Sequence, residues 1–178
     1  SREGNSTGEE DFLGVTISMF SINGERVTGH DYATLAKVDL LDPLRPGGTL
    51  KMVIDWSFPM PTKASLRMGY DDSFEAGPVW ELAQWFPTPC VYDDVYGWNT
   101  LPYIGRGEFY TNFGDYNVEI TVPDNHVVLA SGKLMNPTAV LSSDEQQRLK
   151  EAMNTDSTIA IRTEDEIETT SEGVSTWK

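Results

Sequence analysis

Asp115-Tyr116-Asn117-Val118-Glu119-Ile120-Thr121-Val122 decides the fold class, with Pro123-Asp124-Asn125 and His126 to Ser131 behind it. Tyr116, Val118, Ile120 and Val122 alternate with Asn117, Glu119 and Thr121. A period of two places alternate side chains on opposite faces, which is the pattern of a half-buried strand. Pro123-Asp124-Asn125 supplies turn residues, and 126–131 returns the chain to Gly132, so a hairpin is expected here.

The same alternation recurs on the N-terminal side. Val15, Ile17 and Met19 are set against Thr16 and Ser18, and Asn23-Gly24 follows with the strongest short hairpin signal, because both residues accept positive φ. Ala36, Val38 and Leu40 share a face. Leu50, Met52, Ile54, Trp56 and Phe58 share another, closed by Pro59 and Pro61. Residues 65–70 and 79–86 read as two further strands around an acidic turn at Asp71-Asp72. On the C-terminal side only one stretch is helical: Ser142 or Ser143 can cap it, Asp144 and Glu145 complement its positive end, and no breaker occurs through Met153. Residues 158–162 read as a short strand, Glu164 to Glu168 as a solvated acidic loop, and Val174 to Lys178 as a strand whose partner is missing. Many short strands and one short helix predict an all-β, mostly antiparallel domain of sandwich-like form. Residues 1–11 carry no hydrophobe, so 1–13 is expected to be a flexible lead-in and 14–178 a single β domain.

Charge and composition narrow the chemistry. The 178 residues carry a formal charge of −15, with 28 acidic and 13 basic side chains. Phosphate neutralisation needs Lys/Arg clusters and none occurs, which argues against nucleic acid and against a basic membrane anchor. No apolar run has the length of a membrane span. The single cysteine, Cys90, excludes an intramolecular disulfide framework, and its apolar surroundings suggest an inert thiol. The two histidines, His30 and His126, lie far apart and neither belongs to an HExxH pattern, so no metal site is expected. No Gly-x-Ser-x-Gly elbow exists, and Gly47-Gly48 lies in a Pro-rich turn rather than a phosphate loop. Among the carboxylate pairs, Asp93-Asp94 stands apart because Trp85, Phe86, Tyr92, Tyr96, Trp98 and Tyr103 surround it. Such a patch is either a core layer under a long loop or a binding surface.

That aromatic segment carries a resemblance. Gln84-Trp85-Phe86-Pro87, Val91-Tyr92-Asp93-Asp94, Gly97-Trp98-Asn99-Thr100, Pro102-Tyr103 and Gly107-Glu108-Phe109-Tyr110 occur in order. Phe113-Gly114-Asp115-Tyr116, Ile120-Thr121-Val122-Pro123 and Asn136-Pro137 continue the run. From about Gly14 to Lys178 the chain resembles the N-terminal domain of bacterial zinc metallopeptidases of the aminopeptidase N family (peptidase family M-one, gluzincins). The resemblance implies a saddle-shaped β domain preceding a thermolysin-like catalytic domain, which carries HExxH, a downstream Glu and a Gly-x-Met-Glu-Asn substrate loop. None of those motifs is present, so the expectation is a non-catalytic piece of a longer protein. It would hold no cofactor itself, with zinc in the domain that follows residue 178.

Its implied partners are its own catalytic domain in cis and a peptide substrate, with a periplasmic or secreted location. In the family a Gln or Glu of this domain holds the substrate's free amine. Gln84 is the nearest match and Glu81 the second, while Trp85, Tyr92, Asp93, Trp98 and Tyr103 would pin the loop or line the interface. Two rival readings rest on the residues alone: a free-standing carbohydrate- or peptide-binding β-sandwich using the aromatic patch, and an acid/base hydrolase using Asp93 or Asp94.

Overall fold

A computed structural model describes residues 14–32, 34–61, 67–75, 77–102, 110–167 and 170–178. The expected lead-in, residues 1–13, lies outside them. The chain is all-β with little helix, its strands gathered into small antiparallel sheets. It divides into two compact units, Ser1–Asp72 with Pro78–Phe113, and Ser73–Gly77 with Gly114–Lys178.

In the first unit β1 (Thr16–Ile22) lies between β2 (Glu25–Arg26) and β5 (Met52–Ser57). The Asn23-Gly24 turn behaves as its sequence demands, with φ of 52° and 89°, the left-handed values that a tight hairpin needs. Asn23 also bonds across to the residue preceding β5: its amide reaches the Lys51 carbonyl at 2.8 Å and its side-chain oxygen accepts from the Lys51 amide at 3.0 Å.

The alternation along β1 is interrupted. Ile17 pairs with Trp56 and Met19 with Asp55, so Ser18 is an inserted residue, and its hydroxyl donates to the Asp55 carbonyl at 3.2 Å. A bulge reverses which residues face inward. Val15 and Ile17 are therefore exposed while Met19 and Phe20 are half-buried, instead of all three odd positions sharing one face. On β5, Ile54 and Trp56 are half-buried between exposed neighbours, as the alternation requires.

Three hairpins complete this unit. β3 (His30–Tyr32) pairs with β4 (Leu35–Lys37), which is shorter than the expected 36–40 strand. It places His30 on a strand. β6 (Gly69–Asp71) pairs with β7 (Val79–Glu81), where Tyr70 stacks on Trp80 with ring centres 4.7 Å apart. β8 (Tyr92–Asp93) pairs with β9 (Gly97–Trp98).

In the second unit the expected hairpin is replaced by a long-range pair. β10 (Ile120–Pro123) runs antiparallel to β11 (Val174–Trp177), so the C-terminal strand finds the partner its sequence does not reveal. The reason lies in the turn. Asp124 accepts from the Ser171 hydroxyl at 2.7 Å and the Glu172 amide at 3.2 Å, and its own amide donates to the Gly173 carbonyl at 3.2 Å. The residue expected to close a hairpin instead holds the loop before β11, while 126–131 leaves without entering a ladder.

On the other side of β11, Asn136 imitates a strand. Its side chain donates to the Thr176 carbonyl at 2.8 Å and accepts from the Lys178 amide at 2.9 Å. Trp177, 6% exposed, is buried between these flanks.

The expected helix is α2 (Ser143–Ala152), preceded by one turn, α1 (Pro137–Val140), that begins on a proline. Ser142 caps α2 by a reciprocal exchange: its hydroxyl accepts from the Glu145 amide at 3.3 Å, and its amide donates to the Glu145 carboxylate at 2.7 Å. Residues 158–162 form no strand, because Arg162 turns to meet Glu145 instead of extending a ladder.

Candidate functional site

The aromatic segment begins where β7 ends. Glu81 is the last residue of β7 and is exposed. Gln84, three residues on, is exposed with φ of 54°, a left-handed conformation that a residue with a Cβ adopts at some cost. What imposes that turn is Trp85. Its carbonyl accepts from the Trp56 indole N–H at 3.1 Å, and its ring lies 6.1 Å from Trp56 and 5.3 Å from Phe86, nearly edge-on to the latter. Trp85 is thus tied to β5, and Gln84 is held at the bend between β7 and that anchor. Among the described residues neither Gln84 nor Glu81 makes a side-chain hydrogen bond or an ion pair, so both polar heads stay available to a ligand.

The second grouping is the β8–β9 hairpin. Tyr92 faces Trp98 across it with ring centres 5.2 Å apart at 72°, an edge-to-face arrangement. Asp93 closes the turn: one carboxylate oxygen accepts from the Val95 amide at 2.9 Å and the Tyr96 amide at 2.6 Å. Gly97 takes φ of 73° so that the chain can re-enter the ladder. The Asn99 amide then donates to the Val91 carbonyl at 2.9 Å, and Val91 beneath the hairpin is 3% exposed.

Asp93 thus bonds to the bent backbone of its own turn. One of its two carboxylate oxygens is committed to holding the turn. The structure therefore brings Tyr92, Asp93 and Trp98 together, with Trp85 in its own cluster beside Gln84. Tyr103 lies outside the described residues.

The hairpin is ordered in its backbone yet open on its surface. Tyr96 is 87% exposed, Leu101 81% and Val95 73%, while Tyr92 and Trp98 are also more than half exposed. Beneath this surface the structure spends its hydrogen bonds on shape, and above it leaves apolar side chains in water. Charge is equally one-sided: from Met68 to Pro102 there is no Lys or Arg, and Asp71, Asp72, Glu75, Glu81, Asp93 and Asp94 are all acidic.

Sequence reasoning missed a polar corner in the second unit. Glu145, 4% exposed, receives the Arg162 guanidinium as well as the Ser142 amide. Burial opposes its ionisation, but Arg162 and Ser142 outweigh that and hold the carboxyl below its ordinary value. Nearby, Arg148 grips both oxygens of Glu166 at 2.7 and 2.8 Å, and the Thr163 amide and hydroxyl add two more bonds, holding Glu166 down to about 2.

A cleft of about 530 Å³ opens there, lined among others by Asp124, Ser142, Glu145, Arg162 and Glu166. Each of those carboxylates is already engaged within the protein. The capping pattern Ser142-x-x-Glu145 was the only available signal, since the partners come from 17 and 18 residues further along the chain.

Among the described residues no three His, Cys, Asp or Glu side chains converge as a metal site, and no helix is long and apolar enough to cross a membrane. Cys90 is half-buried. No family model, no curated protein and no solved structure matches the chain.

Proposed function

We propose that this chain is a non-catalytic β domain of an aminopeptidase-like zinc metallopeptidase, packing on the catalytic domain and walling the peptide-substrate cleft. One observation supports it above the others: the rigid β8–β9 hairpin holds Tyr92, Val95, Tyr96 and Trp98 out into solvent. Contiguous exposed apolar surface on a well-bonded scaffold is the mark of an interface. The ordered run of sequence blocks from Gln84 to Pro137 gives that interface its partner, a thermolysin-like domain bearing the zinc.

Gln84 fits the same reading. Its side chain is exposed, without a hydrogen bond among the described residues, and fixed by a strained backbone next to the Trp85 anchor. Positioned at the cleft, its carbonyl oxygen would accept from a substrate's ammonium group.

The encoding reading frame tests the assignment. An HExxH segment with a downstream Glu, encoded soon after codon 178, supports it. A stop codon, or a series of further β modules, overturns it in favour of a carbohydrate- or peptide-binding module. Where the HExxH domain is present, hydrolysis of aminoacyl substrates that is lost on chelation and restored by zinc is the confirming activity.

A further inference from the structure

The β8–β9 hairpin sorts its side chains by face. Val91 is buried, and alternation sends the next residue, Tyr92, to the other side, where it meets Trp98 edge to face. Although each ring covers part of the other, Tyr92 stays 62% exposed and Trp98 59%. Val95 and Tyr96 continue this open apolar surface around the turn, which is held in shape by the bonds from their amides to Asp93. Asp94, in the same turn, is exposed, and among the described residues it makes no hydrogen bond or ion pair.

We infer that this face docks on an apolar protein surface that presents arginine to Asp94 and to the open rings. Charge selects the occupant first. Between Met68 and Pro102 the chain has six acidic residues and no Lys or Arg, so nothing in this stretch can neutralise Asp94. A purely apolar partner would take that carboxylate out of water unpaired, which is costly. A second copy fits no better: the chain carries −15, and a two-fold contact through the hairpin would set Asp94 against Asp94. The rings select the kind of cation. A guanidinium is planar and weakly hydrated, pairs with a carboxylate through two N–H groups and lies on an aromatic face, whereas an ammonium is a strongly hydrated point charge. Asp94 beside Tyr96, with Trp98 across the hairpin, therefore favours arginine over lysine. This deepens the reading of the hairpin as an interface and rests on it, but not on the partner's being a peptidase domain.

The test titrates the 178-residue chain with acetyl-Leu-Arg-Leu-Arg-Leu-amide, and with the same peptide carrying citrulline, which keeps the shape of arginine without its charge. Nuclear magnetic resonance shifts should move at 92–98 and at the Trp98 indole, with the citrulline peptide bound about fivefold more weakly. High salt should remove most of that difference. Asp94→Asn should bring the two peptides within about twofold of each other, while Tyr96→Ala should weaken both. Equal binding of the two peptides at the hairpin overturns the arginine pairing and leaves the interface reading standing. Shifts at the hairpin from neither peptide overturn both. Arginine-peptide shifts spread over the acidic surface, or hairpin signals that move with the chain's own concentration as a second copy would make them, also overturn the inference.

Discussion

The α2 corner and the β8–β9 hairpin treat polar and apolar groups in opposite ways. At the corner, Ser142, Glu145, Arg162, Arg148 and Glu166 bond to one another, and the buried Glu145 carboxylate is paired inside its own unit. At the hairpin, Asp93 satisfies the turn, but Tyr92, Val95, Tyr96 and Trp98 remain in water. A corner whose bonds close on themselves is a device for stability. A surface whose backbone is fixed while its apolar groups stay open is a device for contact.

The sharpest way to break the comparison is Glu145→Ala. It leaves the Arg162 charge without its partner and removes half of the capping exchange, so the second unit should lose about 3 kcal/mol. Urea unfolding followed by helical circular dichroism checks this, and hydrogen exchange at 92–99 should stay the same.

Gln84→Ala comes next. In a full-length enzyme of the proposed kind it should lower kcat/KM by roughly 10- to 150-fold, equivalent to ~1.5–3 kcal/mol, through a lost charge-assisted hydrogen bond. Unchanged kinetics with an intact fold would remove Gln84 from the site. Trp98→Ala separates the two kinds of region: it should cost folding no more than ~1 kcal/mol but weaken docking on a catalytic domain of the proposed kind by about 2 kcal/mol, as an aromatic anchor does. Titration of the two domains by calorimetry reads that difference.

Much of the local structure is legible in the sequence, and the reason is that its causes are local. Asn23-Gly24 specifies its turn by φ, and Ser142 with Glu145 specifies the start of α2 by reciprocal bonds. The larger errors involve distant partners. Residues 126–131 alternate as a return strand should, but Asp124 bonds to Ser171 and Glu172 and brings β11 into that place. The bulge at Ser18 depends on the register of β5, some forty residues away. Arg162 leaves an apolar stretch that reads as strand because Glu145 needs it. At the candidate site, the clustering of Tyr92, Asp93 and Trp98 was visible because one short hairpin contains them. The anchoring of Trp85 by Trp56 was not, since nothing near either residue announces the other.

Two smaller effects refine the contrast. Asp93→Ala removes the acceptor for two turn amides and should destabilise the hairpin by about 1 kcal/mol, seen as faster exchange at Val95 and Tyr96. Acid should act on the corner. Glu166 and Glu145 are held below their ordinary values in the folded chain, so the unfolded chain binds more protons as pH falls through about 4.5. Their contribution is present above that pH and is lost progressively down to about 2, where Glu166 itself protonates. The melting temperature of the second unit should fall by a few degrees across this window.

Hydroxyl-radical footprinting of residues 92–101 tests the central claim most directly, comparing the 178-residue chain alone with the same chain joined to an HExxH domain of the proposed kind. The account predicts that Tyr92, Tyr96 and Trp98 are oxidised readily in the chain alone and are protected severalfold in the joined protein. Equal oxidation of all three in both proteins would contradict it.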